Sequence, residues 1–305
     1  MHPSTNRVYA EDAPRLTVAE LSVFGISGAV EEHLGGVPYV VFSADGPADV
    51  SNVSGAYALF TVEDGGLLRP VPMRPLARFD DDLITIPKYP GKTNEQFTRL
   101  LLNVTVLAAG LPLESRLTVL DPVCGRGTTI NQALMYGYDG IGLEIEGKDV
   151  DAYSAFLRAW LQRKRLKHRA SMDHIRQNRK RIGRRLSVTI AGDQEVTVYH
   201  ADTTRALDFL RPRCADVIVA DLPYGVAHRL DRRNPLELLA AAIPEWVELV
   251  RPGGAVGISW NLRVAPRAEA AAVLAGAGLD VADTPDFAHR VDQTITRDIL
   301  VARLP

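Results

Sequence analysis

Residues 118–129 read T-V-L-D-P-V-C-G-R-G-T-T. A short apolar run ends in Asp121, Pro122 follows, and Gly125 and Gly127 bracket one residue before a hydroxyl-rich helix start at Thr128. Glycine tolerates positive φ and has no side chain to collide with a ligand, and the first turn of the next helix leaves backbone N–H groups unpaired. The stretch therefore predicts a strand, a ligand-accepting turn and a helix, although two glycines after a strand would also serve a plain tight turn. The spacing lacks the third glycine of a dinucleotide-binding G-x-G-x-x-G turn, and it lacks the G-K-[S/T] of a phosphate-binding P-loop.

The same twelve residues resemble the first motif of S-adenosylmethionine-dependent methyltransferases, above all the amino-methylating kind with the turn D-P-x-C/x-G-x-G-T. The resemblance implies that Asp121, Pro122, Gly125, Gly127 and Thr128 bind S-adenosylmethionine. Just upstream, residues 88–93 read K-Y-P-G-K-T. They look like the loop that precedes the glycine turn in those enzymes and helps bind the methionine end of the cofactor, which implies a cofactor role for Thr93. Thr93 and Gln96 also have capping-box spacing, and Phe97, Leu100, Leu101 and Val104 then share one helical face.

Downstream, a helix is predicted over 130–136 and a second strand over 140–146, G-I-G-L-E-I-E. A carboxylate about twenty residues beyond the turn, at a strand's carboxyl end, is placed to accept ribose hydroxyls. Glu144 is assigned that role, one register step from Glu146. A third strand, 196–200, precedes Asp202, which is placed either to accept an adenine amino group or to cap the next helix, 204–209.

The second informative stretch is 215–225, A-D-V-I-V-A-D-L-P-Y-G, in which an apolar strand delivers Asp221 to its carboxyl end, where open α/β sheets bind ligands. Asp221, Leu222, Pro223 and Tyr224 resemble the D/N/S-P-P-Y/F tetrad of methyltransferases that act on exocyclic amino groups of bases. Leu222 departs from the tetrad at its first proline; D-L-P-F-G and D-P-P-Y-G both occur among tRNA guanine-N2 methyltransferases, and this wording leans toward RNA. DNA adenine-N6 and cytosine-N4 enzymes use the tetrad too, and a small-molecule N-methyltransferase could share the cofactor turn. C5 methylation needs a cysteine nucleophile near the tetrad, and neither Cys124, inside the cofactor turn, nor Cys214, ahead of the strand, is placed for it.

A helix from Pro235 to Val250, a turn over 251–254, a strand over 255–260, a helix over 268–275 and strands over 279–282 and 294–304 complete the order. That order implies an α/β, Rossmann-like class I methyltransferase domain with a seven-stranded, mostly parallel sheet whose last strand is antiparallel. We place it at 93–305, behind a proline-rich linker at 76–92 that holds the triplet Asp80–Asp82. Residues 1–75 form a smaller α+β domain, with helices over 17–24 and 48–60 and strands over 36–43 and 67–73. Its order suits a ferredoxin-like module and resembles the N-terminal domain that precedes the RNA-binding THUMP domain in certain tRNA methyltransferases, with no room here for THUMP itself.

Charge is unevenly spread. The chain of 305 residues carries a formal net charge of −2, which by itself predicts no polyanionic partner. Residues 163–185 nevertheless hold eleven Lys and Arg against one acid, Asp173. Read as a helical insertion over 162–186, this run lacks counter-charges at i+4, so phosphate backbone is a natural neutraliser. Arg163, Lys164, Arg165, Lys167, Arg179, Lys180, Arg181, Arg184 and Arg185, with Arg229 beside the tetrad, are candidate nucleic-acid contacts, and RNA, most simply tRNA, is the expected partner. Two cysteines give neither a disulfide framework nor a zinc cluster, and the seven histidines show no metal-ligand spacing. With no apolar run of membrane length and a polar start, the sequence reads as cytoplasmic, with no metal and no membrane partner.

Overall fold

The computed structural model describes residues 1, 6–46, 48–177, 179–223 and 234–305. In chain order, helix α1 (Arg7–Val23) leads into strands β1 (Val30–Leu34), β2 (Val37–Val41), β3 (Leu59–Val62) and β4 (Leu68–Val71), followed by the short α2 (Asp82–Thr85) and by α3 (Glu95–Ala108). Then come β5 (Thr118–Asp121), α4 (Thr128–Met135), β6 (Asp139–Glu144) and α5 (Gly147–Arg163). Strands β7 (His168–Gln177), β8 (Lys180–Ile190) and β9 (Gln194–His200) precede a 3-10 turn at Thr203–Asp208 and β10 (Ala215–Asp221). Helix α6 (Pro235–Leu249), β11 (Val250–Asn261), α7 (Arg267–Gly276), β12 (Asp280–Val281), β13 (His289–Arg290) and β14 (Thr296–Arg303) finish the chain.

The main sheet has the order β12-β14-β11-β10-β5-β6-β9-β8-β7, with β13 paired to β14. Its centre, β11-β10-β5-β6-β9, is parallel, and β14 lies antiparallel to β11. This is the strand order of the Rossmann-like class I methyltransferase fold. Seven of the ten strands are those expected; the hairpin β7–β8 and the short β13 are additional. The parallel strands are buried on both faces and read as apolar runs for that reason. Val119 and Val217 pack into the layer under α3, α4 and α5, while Leu120 and Ile218 pack into the layer under α6 and α7.

Beyond Arg163, the last residue of α5, the basic run is not helical. It forms β7–β8, which continues the sheet antiparallel to β9. Leu186, Val188 and Ile190 are buried and alternate with Arg185, Ser187 and Thr189, a period of two that the density of charge obscured. The N-terminal residues also differ from a ferredoxin-like sheet, since β1–β2 and β3–β4 are separate two-stranded ribbons. Residues 48–57 form turns instead of a helix; the Asp49 carboxylate accepts the Ser51 N–H at 3.0 Å, a local bond that competes with helix geometry. Helix α1 starts ten residues earlier than expected, capped by Asn6, whose side chain accepts from Val8 and Tyr9.

Tyr9, Ala13 and Leu16 of α1 enter the same core as α3 and β5. Glu20 is fully buried beneath them, accepting the Ser54 N–H at 2.8 Å and an Asn103 side-chain N–H at 2.7 Å. Burial pushes its carboxyl up, and those hydrogen bonds partly offset the push. Helix α3 lies close over β11, where a Cβ on Gly257 would stand 1.8 Å from Thr105 Oγ1.

Candidate active site

Strands β6 and β10 flank β5 on opposite sides, β6 following β5 directly through α4 and β10 reached only after β9, so the crevice at the carboxyl ends of these strands is the switch point of the sheet. The glycine turn sits in it. Asp121 at the end of β5 accepts the Val123 N–H at 3.1 Å, the Gly127 N–H closes on the Cys124 carbonyl at 2.7 Å, and α4 begins with Asn131 N–H on the Gly127 carbonyl. Gly127 has φ 78°, and a Cβ there would lie 2.4 Å from the Tyr153 ring. Gly125 has φ 50° and faces open space, with nothing within 4 Å of where its Cβ would stand.

Glu144, at the end of β6, reaches across to this turn. One oxygen accepts the Gly125 N–H at 2.8 Å and the other the Glu146 N–H at 2.7 Å, which fixes the carboxylate while leaving acceptor lone pairs on both oxygens. Burial raises its pKa, and the two backbone N–H groups oppose that rise. Asp121 is pushed up to about 7, first by burial and further by the nearby charges of Asp221 and Glu144, against hydrogen bonds from Val123 and Thr129. Burial raises the Cys124 thiol well above its ordinary value, so it is no nucleophile. Three carboxylates thus converge on one crevice, a setting that favours a cationic ligand.

Asp221 ends β10 beside this turn and is partly buried. Its Oδ1 accepts the Ser259 hydroxyl, its Oδ2 accepts the Thr93 hydroxyl, and Arg297 Nη2 lies 3.8 Å from Oδ2. Leu222 continues the ladder, its N–H on the Ser259 carbonyl at 2.8 Å; its side chain is buried, and Pro223 is exposed. Tyr224 and Arg229 lie outside the described residues.

Thr93 therefore touches the tetrad, not the glycine turn. The helix cap is one residue later than the capping-box spacing suggested: Asn94 accepts the Gln96 and Phe97 N–H groups at 2.8 and 3.2 Å, a contact typically worth about 1 kcal/mol. From the same loop, Tyr89 meets Thr128 Oγ1 at 2.7 Å, and the Arg126 guanidinium lies 4.9 Å over the Tyr89 ring while pairing with Asp149 at 2.8 Å. Residues 88–93 so link the turn to the tetrad. Pro122 is buried beneath the turn. Asp202 caps the 3-10 turn, accepting from Thr204 N at 2.9 Å and from its hydroxyl at 2.8 Å. Sequence reasoning missed Tyr89, Arg126, Ser259 and Arg297. A lone serine inside V-G-I-S-W was the available signal for Ser259.

The cationic run is partly neutralised by acids distant in sequence and by its own Asp173. Lys164 pairs with Asp80 and Asp82 at 2.6 and 2.8 Å, Arg163 with Asp82 at 3.7 Å, Arg184 with Asp151 at 2.8 Å, and Arg185 with Asp173 at 3.9 Å. The triplet read as linker supplies much of this counter-charge. Arg165, Lys167, Arg179 and Lys180 are exposed and, among the described residues, make no ion pair. The Arg181 side chain lies outside the described set. Also among the described residues, no cluster of His, Cys, Asp and Glu is placed to hold a metal ion, and no helix is long and apolar enough to cross a membrane.

No protein-family profile matches the chain, and no curated protein matches it. Among solved structures it is similar to TrmN from Thermus thermophilus, at 17% identity and TM-score 0.45 over 78% of this chain and 56% of that one. The chain thus spans little more than half of TrmN's length. It is also similar to precorrin-6y C5,15-methyltransferase from Geobacter metallireducens GS-15, at 16% identity and TM-score 0.44 over 76% and 99%. A third is 1,6-didemethyltoxoflavin-N1-methyltransferase from Burkholderia thailandensis, at 14% identity and TM-score 0.44 over 68% and 77%.

Proposed function

We propose that the protein is a cytoplasmic S-adenosylmethionine-dependent methyltransferase that modifies an exocyclic amino group of a nucleobase in RNA, with guanine N2 of tRNA as the target. The observation that supports it most is the apposition of two motifs at one crevice: a glycine turn tied to Glu144, and Asp221 on the adjacent strand. The residues present fit the cofactor. Gly125 opens onto free space, Glu144 keeps acceptor capacity for hydroxyl groups, and Asp121, Asp221 and Glu144 make a negative setting for a cation.

In this reading Asp121, Pro122, Gly125, Gly127, Thr128 and Glu144 hold the cofactor, and Asp202 borders its adenine end. When bound, the cofactor supplies a methyl group on a positively charged sulfur. An aromatic amine is a weak nucleophile because its lone pair is delocalised into the ring. Asp221 and the Leu222 carbonyl accept its N–H bonds, localise that pair and aim it, so that alignment supplies most of the rate, and the proton that the nitrogen sheds on gaining the methyl group passes to the Asp221 carboxylate and on to solvent. Pro223 fixes the turn and Tyr224 offers a stacking face. A base paired in a duplex leaves its stack first.

The exposed cations, Arg165 and Lys167 ahead of β7 and Arg179 and Lys180 at the hairpin's bend, supply phosphate contacts. The test is incubation of the protein with methyl-labelled S-adenosylmethionine and tRNA, duplex DNA or a metabolite extract, followed by digestion of labelled nucleic acid to nucleosides. Label recovered as N2-methylguanosine is the expected result. Label confined to DNA adenine or cytosine, or to a small molecule, overturns the substrate assignment, and no transfer at all overturns the activity.

A further inference from the structure

Strand register places an arginine beneath the proposed amine acceptor. Asp221 and Ser259 are direct neighbours across β10 and β11, and Ser259 faces Ile299 across β11 and β14. Arg297 precedes Ile299 by two residues and so shares its face of the sheet. That face is the one α3 covers. The Arg297 side chain is only 4% exposed, lies 3.8 Å from Asp221 Oδ2, and has its guanidinium carbon 4.5 Å from the centre of the buried Phe97 ring.

A desolvated guanidinium is costly, and an aliphatic side chain at a buried strand position is usually at least as stable. The next residue shows a different use of charge. Asp298 pairs with Arg267 at 2.6 Å, with Arg267 also bonded to the Ile299 carbonyl, a contact remote from the crevice that ties α7 to β14. Arg297 instead joins Thr93 at one oxygen of Asp221, while Ser259 holds the other. Three elements, the loop before α3, β11 and β14, thereby fix the plane and rotamer of a single carboxylate.

We infer that Arg297 is a positioning residue for the amine-methylating reaction, acting through Asp221 and held in place by stacking on Phe97. The inference rests on the function proposed above. An acceptor that must aim a lone pair has to be held to about 0.5 Å, and a carboxylate at the end of a strand, next to a turn, has no rigidity of its own. Two hydroxyl groups hold its oxygens by hydrogen bonds, and Arg297 adds a charged partner at Oδ2.

The test combines Arg297→Met, Arg297→Lys, Asp221→Asn, the double variant Arg297→Met/Asp221→Asn, and Arg267→Met as a control. Arg297→Met should lower kcat by roughly 30-fold while KM for the nucleic acid and the cofactor Kd stay within about threefold; Arg297→Lys should recover most of that loss. The double variant should be no slower than Asp221→Asn, and its fall in Tm should be smaller than the sum of the single falls. Arg267→Met should lower Tm and leave kcat unchanged. Additive Tm changes, or an active wild type with Arg297→Met at wild-type kcat, overturn the positioning role alone. A wild type that methylates no amine overturns the proposed function and this role together, even if the Tm cycle shows the pair.

Discussion

Thr93 and Asp221 stand 128 residues apart in the chain and meet hydroxyl to carboxylate at the carboxyl edge of the sheet. The bond joins the loop that leads into α3 to the end of β10. Thr93→Val removes the hydroxyl at nearly constant shape, and Ser259 and Arg297 still hold Asp221, so kcat should fall by only about three- to tenfold. Single-turnover methyl transfer checks it; a loss as large as that of Asp221→Ala would mean that Thr93 does more than orient Asp221.

Asp221→Ala should remove methyl transfer, by roughly a hundredfold or more, while cofactor affinity stays within a few-fold, because its contacts count mainly in the transition state. Calorimetry with S-adenosylmethionine beside labelled-methyl assays separates the two quantities. A variant that keeps near wild-type rate removes the amine-acceptor role.

The two glycines of the turn should fail in different ways. Gly127→Ala forces a Cβ to within 2.4 Å of the Tyr153 ring and should lower the denaturation midpoint clearly. Gly125→Ala adds a Cβ that meets no described neighbour, so its stability loss should be confined to about 1–2 kcal/mol from the positive φ, while cofactor binding is abolished. Denaturant melts paired with calorimetry read both effects.

Asp121 gives a pH signature. Its carboxyl is raised from the ordinary 3.8 to about 7 in the folded protein, mainly by burial, so the native state holds a proton that the unfolded chain has released. The stability linked to that proton is fully present below about pH 4 and is lost progressively as pH rises toward 7. Asp121→Asn, which mimics the protonated form, should therefore become increasingly more stable than wild type from pH 4 to pH 7, with the gap constant above. Urea melts at several pH values measure it, and a gap that does not change with pH would show Asp121 ionised throughout.

Charge reversal should separate the exposed cations from the paired ones. Arg179→Glu with Lys180→Glu should weaken tRNA binding and flatten its dependence on salt, by nearly one slope unit for every phosphate no longer neutralised, leaving cofactor affinity in place. Arg184→Glu breaks the ion pair with Asp151 and should lower Tm as well. Equal binding to tRNA, duplex DNA and single-stranded DNA across a salt series would reduce the hairpin to generic polyanion attraction.

The two motifs were legible because each is local: apolar strand, turn residues and a carboxylate follow one another within a dozen positions, and their order along the chain gives the sheet. The partners of Asp221 were not legible. Ser259 and Arg297 reach it only through register between strands, and Thr93 only through packing of α3; the lone serine in V-G-I-S-W marks Ser259 as unusual without saying what it touches. The hairpin was misread for a related reason. Its apolar residues alternate with period two, yet the cationic residues dominate the composition, and the acids that neutralise several of them lie at Asp80, Asp82 and Asp151, outside any local window.

Glu20 gives the first helix a standing that its position in the chain conceals. A buried carboxyl held by Ser54 on one side and Asn103 on the other ties α1 both to the residues around Ser54 and to α3. A shortened chain that begins after the proline-rich stretch would take away both acceptors of the Asn103 amide, Glu20 and the Asn52 carbonyl, and would remove Tyr9, Ala13 and Leu16 from the core that also holds Phe97, the ring on which Arg297 rests. The geometry of the crevice is thus inherited in part from residues far upstream of either motif.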